Sequence, residues 1–333
     1  MPERNRKGIA ALAAVTALVA APVYAQSIDE VCKLGAGEPS LMWYSSQDPA
    51  FNEVVIKAFM AKYPDIKTEH FRLPSGALAA RFSSERDSGV ITADLISLAD
   101  PMFAAAARDK GWLVDFPKAD LPELANLADT DFDRGVAKTG VNVSGITYNT
   151  ELVGAPITDW KDLLRPEYKG RIAVADPRNV PSFMALFRIL RDEYGPEFLT
   201  QLADQDLVVV SSAVPGTQQV AAGEYTIVFP NATAVSEAVR RQGAPVDTFI
   251  PSMTSGIEYA TMLTTGSDSP NAAKCLYNFL YTQEGQKAFN STTSVPVIPN
   301  MEGMAALPAD YRDPRISEVG EHSTDILKLL RIQ

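Results

Sequence analysis

Apolar runs and amphipathic stretches alternate regularly in the first third of the chain. Leu41–Tyr44 is a short apolar run of the kind that forms a buried parallel strand. Apolar residues then recur at helical spacing from Pro49 until Pro64 ends the pattern. Further strands are predicted at Ile66–Arg72 and Ala93–Leu98, and further helices at Gly76–Ser84 and Met102–Lys110. This strand–helix order predicts an α/β fold whose sheet is mostly parallel.

A second α/β series follows a loop-rich, polar stretch at 115–135. Gly140–Asn149 alternates as an extended segment and suggests a crossover between two bodies. The strands predicted after it are Arg171–Ala175, Leu207–Val210, Tyr225–Phe229, Val246–Ile250 and the extended Gly256–Leu263. The predicted helices are Trp160–Leu164, Pro181–Tyr194, Thr217–Ala222, Ala232–Gln242, Asn271–Tyr281, Gly285–Phe289 and Ser317–Leu330.

The apolar run nearest the N-terminus has the pattern of a secretory leader. A basic segment at residues 4–7 precedes an Ala-rich run at 9–21, and Val23–Ala25 places small residues at a cleavage site. The run is short for a membrane span, although a retained anchor helix is the alternative. The residues before Cys32 do not form a lipidation box. We therefore expect a signal peptide at 1–25, cleavage after Ala25, and a periplasmic protein.

Length and charge limit the classes of function. Removal of the leader leaves 308 of the 333 residues, which favours two α/β lobes over one. The net charge of −11 becomes about −13 without the leader. Such an acidic surface disfavours nucleic acids and anionic membranes as partners, but it does not fix the charge of a ligand cleft.

The cysteines and histidines are few. Cys32 and Cys275 are the only cysteines, and an even pair in an exported protein suggests a disulfide, with two unpaired buried thiols as the alternative. His70 and His322 are the only histidines. These four residues show no zinc-site spacing, so neither a metal nor another cofactor is expected.

Several short motifs, taken in order, resemble those of a known family. Tyr44-Ser-Ser-Gln-Asp48 follows the first strand, Ala93-Asp-Leu-Ile96 lies on the third, and Gly145-Ile-Thr-Tyr-Asn149 lies at the crossover. Further matches are Tyr168–Pro177, Val220–Glu224 and Ala273–Ala288. From about 41 to 298 the chain resembles extracellular solute-binding proteins of ABC importers, in the cluster that handles ferric iron, phosphonates, thiamine and polyamines.

The resemblance implies a type II periplasmic binding protein fold with two lobes joined by two crossover segments. Lobe 1 would comprise 26–140 plus 255–298, and lobe 2 would comprise 141–254 plus 299–333. Both cysteines would then lie in lobe 1, which favours the disulfide. The implied function is a monomeric periplasmic substrate-binding component that captures a solute between the lobes and delivers it to an ABC permease in the inner membrane.

Polar residues at strand ends and helix starts are candidate ligand contacts, because these loops line the crevice of open α/β folds. The candidates in lobe 1 are Ser45, Ser46, Gln47, Ser75, Gly76 and Ser97. The candidates in lobe 2 are Asp176, Arg178, Ser182, Ser212, Asn231 and Thr233. Hydroxyls and amides at helix starts suit a carboxylate, phosphonate or phosphate, although each is also an ordinary helix cap. Arg178 could clamp an anion through two hydrogen bonds, or it could be a solvated surface arginine.

Competing functions fit the residues less well. The iron-binding branch of the family has an adjacent tyrosine pair where this chain has Phe229–Thr233, and it commonly has histidine where this chain has Asp48. Without phenolate ligands, such a site would bind a ferric ion weakly. A polyamine receptor would need more cleft carboxylates. No Gly-x-Ser-x-Gly or Ser-x-x-Lys motif suggests an enzyme. We therefore predict a binding protein for a small organic anion, with ferric iron, a polyamine, or a sensing role as alternatives.

Overall fold

A computed structural model describes residues 27–290 and 293–333, so the predicted leader at 1–25 lies outside the described residues. The helices are α1 (Ile28–Gly35), α2 (Pro49–Lys62), α3 (Ser75–Asp87), α4 (Pro101–Asp109), α5 (Pro181–Tyr194), α6 (Pro196–Ala203), α7 (Ala213–Ala221), α8 (Thr233–Arg240), α9 (Pro270–Leu280), α10 (Gln283–Asn290) and α11 (Val319–Leu329). The strands are β1 (Leu41–Ser45), β2 (Thr68–Arg72), β3 (Leu95–Leu98), β4 (Phe132–Asp133), β5 (Val136–Asn149), β6 (Ile172–Ala175), β7 (Val208–Val210), β8 (Ile227–Ala232), β9 (Val246–Phe249), β10 (Met253–Thr254), β11 (Gly256–Leu263), β12 (Val295–Pro296) and β13 (Asp310–Tyr311). Short 3₁₀ turns, among them Trp160–Leu164, connect these elements.

A long mixed sheet runs through the whole molecule in the order β2-β1-β3-β11-β5-β8-β6-β7. Each end of this path is parallel, with β1 between β2 and β3 and with β6 between β7 and β8. The two middle strands are antiparallel to their neighbours. Parallel strands require crossover helices, which cover both faces and explain the apolar run of β1. The predicted α/β class is confirmed.

Two large hydrophobic cores lie under the two parallel parts of the sheet. The first is centred on Trp43, Phe59 and Phe279 and includes residues of the returning helices α9 and α10. The second is centred on Trp160 and Phe187 and includes residues of α11. The first core also contains Ala175, Val180, Phe183 and Ala213, which the predicted bounds assign to lobe 2, and the lobe bounds given above stay a prediction.

Two neighbouring strands carry the chain between these cores. β5 pairs with β11 up to Val143 and with β8 from Ser144 onward. At this crossover the amide of Ser144 donates to the carbonyl of Ser255 at 2.9 Å, and the hydroxyl of Thr254 donates to the carbonyl of Ser144 at 2.7 Å. The C-terminal segment adds a third connection, because the chain passes from Ile298 in the first core to Ile316 in the second. Within this segment β13 pairs with β10.

Two helices were not predicted from the sequence, and a third was predicted too short. α1 begins with a capping box in which Ser27 and Glu30 bond each other's backbone. The turn Gly195-Pro196 ends α5 as expected, but the proline also begins α6. α7 begins at Ala213, four residues before the predicted start at Thr217. Among the described residues, no helix is both long and apolar enough to span a membrane.

The cysteine pair forms a disulfide between α1 and α9. Cys32 and Cys275 have a Cα–Cα distance of 5.1 Å and are separated by 243 residues in the chain. Both are almost fully buried in the first core. The predicted bridge is confirmed, and the alternative of two free thiols is excluded.

Candidate functional site

A narrow cleft lies between the two parallel parts of the sheet. One side is formed by the loops after β1 and β2, and the other by the starts of α5, α7 and α8. The lining residues are Ser46, Gln47, Asp48, Arg72, Pro74, Ser75, Asn142, Val180, Phe183, Ser212, Ala213, Val214, Ala232, Val235, Ile257 and Tyr259. The free volume is about 50 Å³. Since one water needs about 10–15 Å³ on this kind of measure, the cleft holds a group of only a few heavy atoms.

Helices from both sides begin at this cleft without side-chain caps. α3 begins at Ser75 after Pro74, and α7 begins after Ser212, and neither preceding residue caps its helix with a side-chain hydrogen bond. The first amides of a helix have no partner inside that helix, and they carry its positive dipole end. Uncapped helix starts that converge on one cleft favour a negatively charged ligand.

The amide of Gln47 is held with its N–H₂ group free. Its Oε1 accepts from the backbone N–H of Asp48 at 3.0 Å and from Nδ2 of Asn142 at 3.1 Å. The Oδ1 of Asn142 in turn accepts from the hydroxyl of Ser294. Gln47 is only 1% exposed, and its Nε2 is buried with no hydrogen-bond partner. A buried donor without a partner is costly, so this Nε2 calls for an acceptor from outside the protein.

Ser46 and Ser75 form a hydroxyl pair beside Gln47. The amide of Ala99 donates to Ser75 Oγ at 3.2 Å, and Ser75 donates to Ser46 Oγ at 2.9 Å. Because Ser46 Oγ accepts the bond from Ser75, its own proton remains available as a donor to a ligand.

Arg72 supplies the positive charge of the cleft. It is the last residue of β2, and its Nε is buried with no hydrogen-bond partner. Within the described ranges no carboxylate lies within 4 Å of its guanidinium nitrogens. A guanidinium presents several donors in one plane and matches carboxylate or phosphate oxygens.

Tyr259 and Asp48 complete the polar lining. Burial raises the pKa of Tyr259, while the charge of Arg72 and a hydrogen bond from Asn142 oppose that rise. Its phenol is therefore neutral at ordinary pH and can donate a hydrogen bond. Asp48 caps α2 by accepting from the amide of Ala50 at 2.9 Å. Asp48 is the only carboxylate of the cleft lining among the residues that the structure describes.

The structure brings four of the twelve predicted contact residues into the cleft. These four are Ser46, Gln47, Ser75 and Ser212. Gly76 lies at the border, where a Cβ would come within 3.4 Å of the carbonyl oxygen of Asn179. Their roles as ligand contacts stay predictions.

Three others are placed inside the protein rather than in the cleft. Ser45 donates to Asn52 at 2.8 Å, and Ser97 lies between Trp43 and Thr261 at 2.9 and 2.7 Å. Asn231, which belongs to β8 rather than to a loop after it, donates to the hydroxyls of Thr147 and Thr217 at 2.8 and 2.7 Å. All three are fully buried. They reinforce the sheet because their polar groups already have internal partners.

Asp176 and Arg178 are engaged with each other. The Nε and Nη2 of Arg178 bond Asp176 Oδ2 at 3.1 and 2.8 Å, and its Nη1 donates to the carbonyl of Gln333. Neither residue lines the cleft. Thr233 is the first residue of α8 and lies outside the lining, and Ser182 lines a neighbouring cavity. The anion clamp predicted for Arg178 is therefore not formed at this cleft.

Four polar residues of the lining, Asp48, Arg72, Asn142 and Tyr259, were not among the predicted contacts. Arg72 ends a parallel strand, and residues at strand ends are expected to line the cleft, so its position was a usable signal. Asn142 and Tyr259 lie in the middle of β5 and β11, where no strand-end rule applies. Only the register of the two crossover strands places them in the cleft.

A two-sided cleft between the two parallel parts of one mixed sheet is the arrangement of a type II periplasmic binding protein. The chain belongs to the bacterial extracellular solute-binding protein family, which it matches over residues 41–292. It is thus a solute-binding protein of the ABC importer type, and the family resemblance is confirmed. Such proteins bind small ligands and pass them to ABC permeases.

The chain is similar to one curated protein in sequence and to solved structures in fold. An uncharacterized protein of Haemophilus influenzae is 25% identical over 276 residues, which are 78% of this chain and 78% of that protein. One similar structure is that of the periplasmic binding protein AfuA from Actinobacillus pleuropneumoniae with fructose-6-phosphate bound. It superimposes with a TM-score of 0.72 at 19% sequence identity, and the match covers 88% of this chain and 99% of that one. Iron-bound HitA from Pseudomonas aeruginosa has a TM-score of 0.65 and 20% identity, with the same coverage. At such identities the two structures show the shared fold alone.

Proposed function

We propose that this protein captures a small anionic organic solute, a carboxylate or a phosphorus oxyanion, in the cleft and delivers it to an ABC permease. It would act in the periplasm, as a monomer released after cleavage behind Ala25, and as a carrier rather than as an enzyme. The observation that carries the proposal is a pair of buried donors without partners, Arg72 Nε and Gln47 Nε2, in one cleft.

The donor set explains why an anion is favoured. Arg72, Gln47, Ser46 and the uncapped starts of α3 and α7 all offer N–H or O–H groups, whereas among the described lining residues Asp48 alone offers a carboxylate. An oxyanion accepts several hydrogen bonds at once and prefers charged donors. Leaving these donors without an acceptor would cost free energy, so binding such an anion relieves that cost.

The same lining argues against the cationic alternatives. A ferric ion prefers several anionic oxygen ligands, but the cleft offers one carboxylate and a phenol whose pKa is raised by burial. In the described part of the chain, no three His, Cys, Asp or Glu side chains lie together so that they could hold a metal ion. A polyamine would face the positive charge of Arg72. AfuA, which shares the fold, holds fructose-6-phosphate, and this precedent for a phosphorylated ligand supports the proposal.

A thermal-shift screen of the mature chain tests the proposal. The panel would contain carboxylates, phosphonates, inorganic phosphate, hexose phosphates, spermidine and ferric citrate, each with and without a chelator. We expect an anion to raise Tm by several degrees, with no effect of the chelator, because a ligand at 100 times its Kd adds about 2.7 kcal/mol. Stabilisation by ferric iron alone, or by spermidine alone, would overturn the proposal.

A further inference from the structure

Three buried side chains form a line of hydrogen bonds that reaches the cleft from the segment after α10. The hydroxyl of Ser294 donates to Oδ1 of Asn142, and Nδ2 of Asn142 donates to Oε1 of Gln47 at 3.1 Å. Ser294, Asn142 and Gln47 are 0%, 2% and 1% exposed, so these bonds are shielded from water. Of the three, Ser294 does not line the cleft. We call these three side chains the amide network.

Backbone hydrogen bonds hold Ser294 at the start of the network. Its amide donates to the carbonyl of Asn290 at 3.0 Å, and β12, which begins at the next residue, pairs with β5. Two residues further on, the amide of Val297 donates to Oε1 of Gln286 in α10 at 2.9 Å. The hydroxyl of Ser294 is therefore placed by α10 and β5 rather than by the cleft.

The other end of the network fixes the direction of every bond in it. The backbone N–H of Asp48 donates to Oε1 of Gln47 at 3.0 Å, and a backbone N–H can only donate. Because Oε1 is held there, Asn142 must turn its Nδ2 towards the same oxygen, which leaves its Oδ1 for the hydroxyl of Ser294. Reversing the Asn142 amide would bring two acceptor oxygens together with no proton between them, and this arrangement is unfavourable.

Asn142 has no donor left for a ligand. Besides Gln47, it donates to the phenol oxygen of Tyr259; burial raises the pKa of this phenol, and the bond from Asn142 opposes part of the rise. The register of β5 against β11 places Asn142 and Tyr259 on the same face of the sheet, and both line the cleft. Since an amide nitrogen carries two protons, both are used. Asn142 therefore holds the oxygens of two neighbours, while the Nε2 of Gln47 has no acceptor among the described residues.

We propose that Asn142, held by Ser294, is a positioning residue that keeps the nitrogen of Gln47 turned towards the cleft. The inference rests on the proposed function in one respect, because it takes that nitrogen as a contact to the solute. Without Asn142, Oε1 would keep only its bond from Asp48, and the amide would be free to turn its oxygen into the cleft. An oxygen in that place would repel a hydrogen-bond acceptor. Asn142 and Ser294 thus decide whether the cleft offers a donor or an acceptor at this point.

NMR spectra of the ¹⁵N-labelled mature chain without ligand observe the Gln47 amide directly. The variant Gln47→Leu identifies its resonance as the side-chain N–H₂ signal that disappears. We expect a rigid N–H₂ group in the wild type, with an order parameter of about 0.85, as in a rigid backbone. Asn142→Leu should lower the order parameter below about 0.6 and shift the resonance. Ser294→Ala should act in the same direction, and it leaves the cleft lining intact, so it tests the network even where Asn142→Leu does not fold.

The same spectra, recorded with added acetate or sulfate, measure the affinity for an oxyanion small enough for the cleft. We expect the probe that binds the wild type to bind Asn142→Leu about tenfold more weakly and Ser294→Ala about threefold more weakly. The expected losses are smaller than for removal of a direct charged contact, because the variants loosen the donor without deleting it.

Matched controls are Asn278→Leu and Ser269→Ala, outside the cleft lining. Asn278 accepts from the amide of Glu123 at 3.2 Å, and Ser269 donates to the carbonyl of Pro39 at 2.9 Å. Both side chains are buried, so each control loses a buried hydrogen bond of the same kind as its network counterpart. The Gln47 signal and the affinity for the probe should stay as in the wild type.

The outcomes separate the positioning role from the proposed function. An equal order parameter for Gln47 in the wild type and in both network variants would overturn the positioning role, whether or not an anion binds. Equal loosening in the controls, or equal affinity in variants whose Gln47 amide is loosened, would overturn it as well. If the network variants alone loosen the amide but no anion of this test or of the thermal screen binds the wild type, the proposed function fails and the positioning of Gln47 is supported.

Discussion

At the scale of single residues, the ligand chemistry depends on which donors lack a partner. Gln47 shows this best, because Asp48 and Asn142 fix its oxygen and so leave its nitrogen to face the cleft. The amide therefore acts as an oriented donor rather than as a flexible polar group. Its neighbour Ser45, one of the predicted contacts, has the opposite role, since it already bonds Asn52.

Gln47→Glu should abolish anion binding with little change in fold. The variant keeps one oxygen to accept from Asp48 and Asn142 but replaces the free N–H₂ with a second, negatively charged oxygen. We expect the affinity for the anion to fall at least about 100-fold, since a donor is lost and a like charge is added. Titration calorimetry measures this effect. Gln201→Glu, on an exposed position of α6, makes the same charge change and should have no effect; equal affinity in both variants would refute the role of Gln47.

Arg178 is expected to contribute to stability rather than to binding. Burial would raise the pKa of Asp176, but the hydrogen bonds and charge of Arg178 hold it below its usual range. A carboxyl whose pKa is lower in the folded than in the unfolded protein adds stability at pH values above its ordinary pKa of about 3.9. This stability is lost as the pH falls through the lowered pKa. Arg178→Ala should therefore lower Tm by a few degrees at pH 7 and by progressively less below about pH 3.9. The affinity for the anion should change little in this variant. A tenfold loss of affinity would instead support the role of Arg178 as an anion clamp.

At the scale of elements, the sequence indicated the strand–helix order and most bounds, because apolar periodicity reflects burial directly. α5 and β11 have the bounds that were predicted. α1 and α6 were missed for different reasons. α1 has only eight residues, and the capping box of Ser27 and Glu30 is its main signal in the sequence, whereas Gly195-Pro196 both ends α5 and begins α6. Prediction of the site is limited in a similar way. Strand ends are visible in a sequence, but the register of β5 against β11, which brings Asn142 and Tyr259 to the cleft, is not.

The disulfide ties the first helix to the returning helix α9. Closing a loop of 243 residues removes conformational entropy from the unfolded chain, so the double variant Cys32→Ser/Cys275→Ser should lower the free energy of unfolding by about 2–5 kcal/mol. Urea unfolding measures this, and reduced wild type should match the variant. Neither cysteine lines the cleft, so anion affinity should be retained. Equal unfolding free energies for oxidised wild type and the variant would contradict the prediction.

At the scale of the whole molecule, two cores are joined by a crossover of β5 and β11 and meet across a cleft lined from both sides. A ligand held by groups from both sides of the cleft would stabilise the closed arrangement, because ligand binding shifts an equilibrium towards the form that makes more contacts with the ligand. Arg72 ends β2 on one side of the cleft, and Ser212 precedes α7 on the other side. Residues from both sides are therefore expected to act on one anion.

Titration calorimetry decides whether both sides of the cleft bind the anion. It would compare wild type, Arg72→Ala and Ser212→Ala, each titrated with the anion that stabilises the protein most. We predict a loss of affinity of about 100-fold or more for Arg72→Ala, because a charged donor is removed, and of about tenfold for Ser212→Ala. Arg240→Ala, which removes an exposed arginine paired with Glu237, is the matched control and should bind like wild type. An anion that binds both cleft variants as tightly as it binds wild type would contradict a two-sided anion site.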